Sequence, residues 1–311
     1  MKITYFSKFE DNKYSVLEEE PIVRALRDLG HQVFQFDVVK ADPQKMIEQA
    51  NKSNLFLFHT GGVIADDELS LLMGLAGLTD LLNRITVPKI MWFFDRVMGP
   101  SERFVETMLS VVDYGFFNDD TWVRRHKWEN ASCLHEGCET RPLGQKRKDL
   151  ECDIAFIGNV WGGRGEIMDA LKKMYGRKFR IFSDIWGKDF DDLCQSARVI
   201  FQPKWLMNDF CWTDQIYHVL SAGGFLLHPR LHGLKEEGLE DGKHFIGYSI
   251  PEELIAEIEF FMKPENWEKM EEVKKFGRQF VIENYTWSQR LKSMFETIKE
   301  DLLKKDGKAK N

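Results

Sequence analysis

Short apolar runs alternate with helical stretches along this chain, and the alternation stops once and then begins again. In the first half the runs are Lys2–Phe6, His31–Asp37, Asn54–His59, Val87–Phe94, Asp113–Phe117 and Ala131–His135. Helical patterns fill the gaps. Gly30 stands where a helix C′ glycine belongs, and "DPQKMIEQA" offers Asp42 as N-cap with Pro43 at N1. Asp66 is expected to cap a helix through Leu69–Leu75, with a second helix running to about Ile85. The segment "EGCETRPLGQKRKDLE" is polar and without period, and reads as a linker. The pattern then restarts with the runs Cys152–Ile157, Lys178–Phe182, Ala197–Gln202, Gly223–Pro229 and His244–Tyr248. Helices are expected at Arg164–Tyr175, Asp189–Ser196 and Thr213–Ala222, and from Pro251, Pro264 and Ser288 onward. Such alternation predicts parallel strands covered on both faces. The fold expected is α/β, with two tandem Rossmann-like domains. The boundaries read as 1–138, a linker at 139–151, 152–287, and a helix at 288–311 that crosses back to the first domain and frays at its end. Ligands of such sheets lie beyond the carboxyl ends of the strands, so the ligand is expected in a cleft between the domains.

Composition narrows the classes. The net charge of −7 argues against a broad nucleic-acid surface. The short basic runs "RRHK" (Arg124–Lys127) and "KRK" (Lys146–Lys148) read as solvated charge, and nucleic acid stays open only as an acceptor. Five irregularly spaced cysteines indicate reduced thiols rather than a disulfide framework. Cys133, His135 and Cys138 lack a second ligand pair at finger-like spacing, so no metal site is expected. No run approaches the ~20 apolar residues that span a bilayer, and the N-terminus lacks a signal-peptide core. The expected compartment is the cytoplasm.

The second domain opens on "DIAFIGNVWGGRGEIMDAL": strand, glycine loop, helix, with Arg164 inside the loop. That order cradles phosphate. As a dinucleotide fingerprint it is incomplete, because Met168 stands where the third glycine of G-x-G-x-x-G belongs, although Asp184 lies just past the following strand. An NAD-dependent oxidoreductase is therefore one alternative. A second anion site is suggested by "NDFCWTDQIYHVLSAGGFLLHP", where a helix begins near Thr213 and Asp214 and ends at Gly223 and Gly224, two glycines that allow close backbone approach.

These segments, with "RIFSDIWGKDFDDLCQSARVIFQP" and "FVIENYTWSQRL", resemble the GT-B glycosyltransferases, in particular the CgeB-like (spore maturation type) branch of the group-1 superfamily. The likeness spans Cys152 to about Leu291 and is weaker in "VPKIMWFFD", "VDYGFFND" and "CLHEGCETR". It implies a metal-independent transfer of a sugar from a nucleotide-diphosphate donor of UDP, GDP or TDP type, with no permanent cofactor. It implies that Gly158, Asn159 and Arg164 face the diphosphate and that Trp186 lies near the base. Asn208, Trp212, Asp214, Gln215, Tyr217 and His218 would grip the sugar and diphosphate, with Gly223 and Gly224 letting backbone approach. The chain departs from the family where R-[IV]-[FY]-E reads Gln215-Ile216-Tyr217-His218 and where Phe210 stands eight residues before His218. An arginine and the paired glutamates are thus replaced. A non-catalytic nucleotide-sugar-binding relative is the other alternative.

The acceptor is not written in the sequence; a glycan, small molecule, protein or modified nucleic acid all fit. An inverting enzyme needs a base beside the acceptor hydroxyl. His59, ending a buried run, and Asp95, ending "MWFF", are the two candidates. Of the tryptophans outside the runs, Trp122, Trp128, Trp161, Trp205 and Trp212 carry faces on which a sugar could stack.

Overall fold

The computed structural model describes residues 1–9, 18–38, 40–60, 68–94, 102–160, 162–204 and 207–308. Two compact units emerge: Met1–Glu136 with Trp287–Asn311, and Gly137–Thr286.

Unit 1 alternates β1 (Lys2–Ser7), α1 (Glu19–Asp28), β2 (Gln32–Asp37), α2 (Pro43–Ala50), β3 (Leu55–Thr60), α3 (Glu68–Asn83), β4 (Lys89–Phe93), α4 (Glu102–Val111), β5 (Tyr114–Phe117), α5 (Asp120–His126) and β6 (Ala131–Cys133). All strands are parallel, in the order β2-β1-β3-β4-β5-β6. The apolar runs are continuous because both faces are covered. Phe56 and Phe58 of β3 enter one core with α2, α3 and α4, while Leu55 and Leu57 enter the other with α1. The C-terminal helix joins that second core through Trp287, Leu291 and Met294. Local signals act as expected. Asp42 accepts from the backbone N–H groups of Gln44 and Lys45, and Gly30 ends α1 at φ +82°. In the α3 region one helix stands where two were expected. Gly74 and Gly77 each cost such a helix about 1 kcal/mol, and burial of Leu78, Leu81 and Leu82 outweighs them. Asp66 lies outside the described residues.

Unit 2 contains β7 (Cys152–Ile157), α6 (Gly165–Tyr175), β8 (Phe179–Phe182), α7 (Gly187–Ser196), β9 (Ala197–Phe201), α8 (Gln215–Ser221), β10 (Leu226–Pro229), α9 (His232–Glu236), β11 (Ile246–Tyr248), α10 (Pro251–Met262) and α11 (Trp267–Asn284). The final helix, α12 (Trp287–Lys308), belongs to unit 1. The sheet of unit 2 is again all parallel, ordered β11-β10-β9-β7-β8. Ala155 and Ile157 pack with α7 and α8, and Ile154 and Phe156 pack with α6 and α10. The linker residues lie along α7. Gln145 donates its N–H to Asp192, and Arg147 pairs with Asp149, Asp189 and Asp192. The short α9 was not expected; it occupies what the sequence suggests is a loop. Among the described residues, no helix is long and apolar enough to cross a membrane.

Candidate functional site

In both sheets the strand order reverses beside the first strand, so each has a topological switch point where ligands of open α/β sheets bind. In unit 2 it lies beyond the carboxyl ends of β7 and β9. The chain leaves β7 through Gly158, whose φ of +134° only glycine adopts freely. Its N–H donates to the Phe182 carbonyl (2.9 Å), and a Cβ there would press within 3.2 Å of the Phe156 ring. A 3-10 turn at Gly162–Arg164 then feeds α6. Arg164 folds back over this loop. Its Nη1 donates to the Asn159 carbonyl (3.0 Å), and the guanidinium sits 5.8 Å from the Phe156 ring centroid. Burial lowers its pKa, yet a guanidinium starts so high that it stays charged at neutral pH.

The chain leaves β9 through Gln202, Pro203 and Lys204, and returns through Asn208 to Asp214. Asn208 and Cys211 exchange backbone hydrogen bonds, and the Asn208 Oδ1 accepts from the Phe210 N–H (2.7 Å). Gln215, first residue of α8, donates its Nε2 to the Ile157 carbonyl (2.8 Å). Gln215 thus stitches the two switch-point loops together. Asp214 caps α8 by position, and its Oδ2 lies 2.9 Å from the His218 Nε2. Trp186 precedes α7, beyond the carboxyl end of the neighbouring β8. Gly158, Asn159, Arg164, Asn208, Asp214 and Gln215 are therefore gathered at one sheet edge, with Trp186 one strand away.

Four of the expected residues stand elsewhere. Trp212 and Tyr217 are core residues, 2% and 0% exposed; the Trp212 Nε1 donates to the Tyr217 hydroxyl (2.9 Å), and Tyr217 stacks on Tyr285. They hold the base of the loop rather than a ligand. Gly223 and Gly224 lie at the opposite edge of the sheet. β9 and β10 are parallel neighbours, so α8 must run back between them and end where β10 starts. A Cβ on Gly224 would come within 2.8 Å of Val219 Cγ1 and 3.0 Å of Ile200 Cδ1, while Gly223 turns at φ +72° beside Gln195 and Leu143. These glycines serve helix–sheet packing. His218 is buried below Asp214, one turn inside α8, and reaches the edge only through that carboxylate. His228 is buried in β10, where desolvation lowers its pKa to about 4. Met168 is fully buried against the sheet, filling the position that a dinucleotide fingerprint reserves for glycine.

In unit 1 the switch point falls between β1 and β3, and His59 marks it. Its Nδ1 lies 2.7 Å from the Tyr5 hydroxyl and its Nε2 lies 3.2 Å from the Glu19 Oε1; the Ser7 hydroxyl is within 3.3 Å of both ring nitrogens. Phe94 stacks on the ring at 4.3 Å. Burial, then Glu19 and Glu18, raise the Tyr5 pKa well above that of a free phenol, so Tyr5 keeps its proton. A phenol donating to Nδ1 leaves the Nε2 proton for Glu19. Both nitrogens are then occupied, and in this arrangement no lone pair faces an acceptor. Glu18, Glu19 and His59 also present atoms close enough together to share a cation. Asp95, Trp161 and Trp205 lie outside the described residues. Tyr5, Ser7 and Glu19 were missed in the sequence. Glu19 sits in a run of glutamates that reads as helix charge, and only strand pairing brings it to a residue forty positions on. Trp122 and Trp128 stack within unit 1.

Residues 153–296 match the family model described as "Glycosyl transferase-like". A search of the curated proteins finds no match. Among solved structures, an alpha-glucosyltransferase in complex with UDP-glucose and DNA containing an abasic site is similar at TM-score 0.69 and 11% identity, over 96% of this chain and 99% of that one. The Anabaena protein HepE in complex with UDP and glucose is similar at TM-score 0.68 and 10% identity, over 96% and 100%. At these identities the likeness is one of fold. The fold is α/β and GT-B-like, with two parallel sheets and alternating helices, as expected from the sequence.

Proposed function

We propose that this chain is a glycosyltransferase that takes a sugar from a nucleotide-diphosphate donor held by unit 2, and that Arg164 stabilises the leaving diphosphate. The observation that carries this is the joining of two loops at the switch point of the glycosyl transferase-like region. Arg164 is held by the first loop, and Gln215 ties the second to it. A preorganised cation at the point where charge develops is the kind of group that lowers such a barrier. Because Arg164 supplies that charge, turnover is expected to need no added metal. UDP is the first nucleotide to test, since the α-glucosyltransferase and HepE structures hold UDP or UDP-glucose. The order of the sequence segments supports the CgeB-like branch. Trp186 is assigned to the base, and Asn208 and Asp214 to the sugar. Unit 1 is assigned the acceptor. There the reading gives His59 the task of holding Tyr5, Ser7 and Glu19 in place rather than proton abstraction, because both of its nitrogens are engaged.

The test is a melting screen with UDP, GDP, TDP and CDP sugars, followed by measurement of nucleoside diphosphate release. A donor at roughly 100 times its dissociation constant stabilises by about 2.7 kcal/mol. A shift with release supports transfer. A shift without release, over a broad acceptor panel, leaves the binding-only relative. The absence of any shift across all donors would sink the reading.

A further inference from the structure

Apart from the residues assigned to transfer, unit 1 carries a second cluster of metal-ligating side chains. Glu102 and Glu106 lie four residues apart on α4, and His126 ends α5. One carboxylate oxygen from each glutamate and one ring nitrogen of His126 all lie within 4.8 Å of one another. Three features distinguish this from a chance surface grouping. The His126 ring is fixed: it lies parallel to Trp128 (4.4 Å, 3°) and to Trp122 (5.3 Å, 10°). Trp122 is one helical turn before it, and Lys127 turns the chain at φ +53°, which returns Trp128 to its face. Next, the His126 Nε2 is shielded from solvent and has no hydrogen-bond partner, although the Glu102 carboxylate lies 3.3 Å away. Finally, Glu106 makes no ion pair among the described residues, yet it stands on the same helix face as Glu102, where like charges repel.

We propose that Glu102, Glu106 and His126 form a divalent-cation site that takes zinc or a similar first-row ion, completed by water. Two carboxylate oxygens and one imidazole match the preferences of such ions, whereas magnesium and calcium favour all-oxygen shells. A bound cation removes the repulsion between the two glutamates and gives the His126 nitrogen its partner. It also clips the first turn of α4 to the end of α5. The role is structural, and it is independent of the donor reading.

The experiment is a calorimetric titration of the chelator-treated full-length protein with Zn²⁺, repeated on Glu106→Gln and His126→Gln, with melting followed in parallel. The expected result is one binding event lost, or weakened at least tenfold, in both variants. The melting midpoint of the parent rises by a few degrees on Zn²⁺ addition, and this rise disappears with the site. Equal stoichiometry and affinity in all three proteins would place the ion elsewhere and overturn the proposal. Glu106 is exposed, so Glu106→Gln keeps the test decisive if His126→Gln fails to fold through loss of its ring stack. Turnover is not the readout, so this outcome is separable from the fate of the transferase reading.

Discussion

The two units share strand direction and the position of their switch points, but they fill those points in opposite ways. In unit 2 the edge is polar and carries a cation: Arg164 is half-buried against its own loop, and Gln215 bonds the end of β7. In unit 1 the equivalent edge is closed over by a buried network of Tyr5, Ser7, Glu19 and His59 under Phe94. Topology alone therefore offers a place for chemistry without supplying any. The side chains at the strand ends decide whether that place binds an anion or locks an edge.

Arg164→Ala tests that contrast most directly. If the guanidinium meets the leaving diphosphate, turnover should fall about 10²- to 10³-fold, with the melting temperature nearly unchanged. Unchanged turnover would remove unit 2's distinction. The next largest effect concerns acid. His228 in unit 2 and His135 in unit 1 are buried, and desolvation lowers their pKa values to about 4 and about 3. A histidine with a depressed folded pKa is neutral in the native state, while the unfolded chain takes up the proton below about 6.5. Each therefore contributes stability that is complete above pH 6.5 and is lost as pH falls toward its folded pKa. For His228 the loss reaches about 3 kcal/mol. Urea unfolding of His228→Leu between pH 7 and 4 should show a flatter decline than the parent; a parallel decline would mean that the imidazole is hydrated.

His59→Gln asks what the closed edge is for. Leaving Tyr5 and Glu19 without a full partner should cost about 1–3 kcal/mol in denaturant melts, with turnover of the folded fraction changed less than tenfold. A loss of 10²-fold or more at intact stability would instead restore His59 as a catalytic base. Two glycines sharpen the comparison further. Gly224→Ala should destabilise by about 1–3 kcal/mol through overpacking against Val219 and Ile200, while the donor dissociation constant stays the same. Gly165→Ala meets nothing within 4 Å at the start of α6, so it should be neutral or stabilise by up to about 1 kcal/mol. If the loop before α6 touches the donor, that small gain comes with weaker donor binding.

Much of the architecture could be read from residues one at a time. Every expected strand is present, because a run such as Leu55–Phe58 is apolar at consecutive positions only when both faces are covered. The cap at Asp42 and the stop at Gly30 are equally local. The expectation of two helices around α3 failed because glycine cost is local while the burial that offsets it is not. The site was legible in part. The Gly158–Arg164 loop announces itself through its glycines, yet Gly223 and Gly224 carry the same signal and lie at the wrong edge. Nothing in their spacing says which end of the sheet a turn occupies; that follows from β10 pairing beside β9.

The sequence by itself determined the alternation, the two parallel sheets and the glycine loop after β7, since these rest on periodicity, turn chemistry and contacts between near neighbours. Only the tertiary structure decided that Gln215 bonds Ile157, that Glu19 meets His59, and that Trp212 and Tyr217 are core rather than site. Each of those outcomes depends on which strands pair and in what register. Register is fixed by the burial of a whole face at once, and no single residue carries that information.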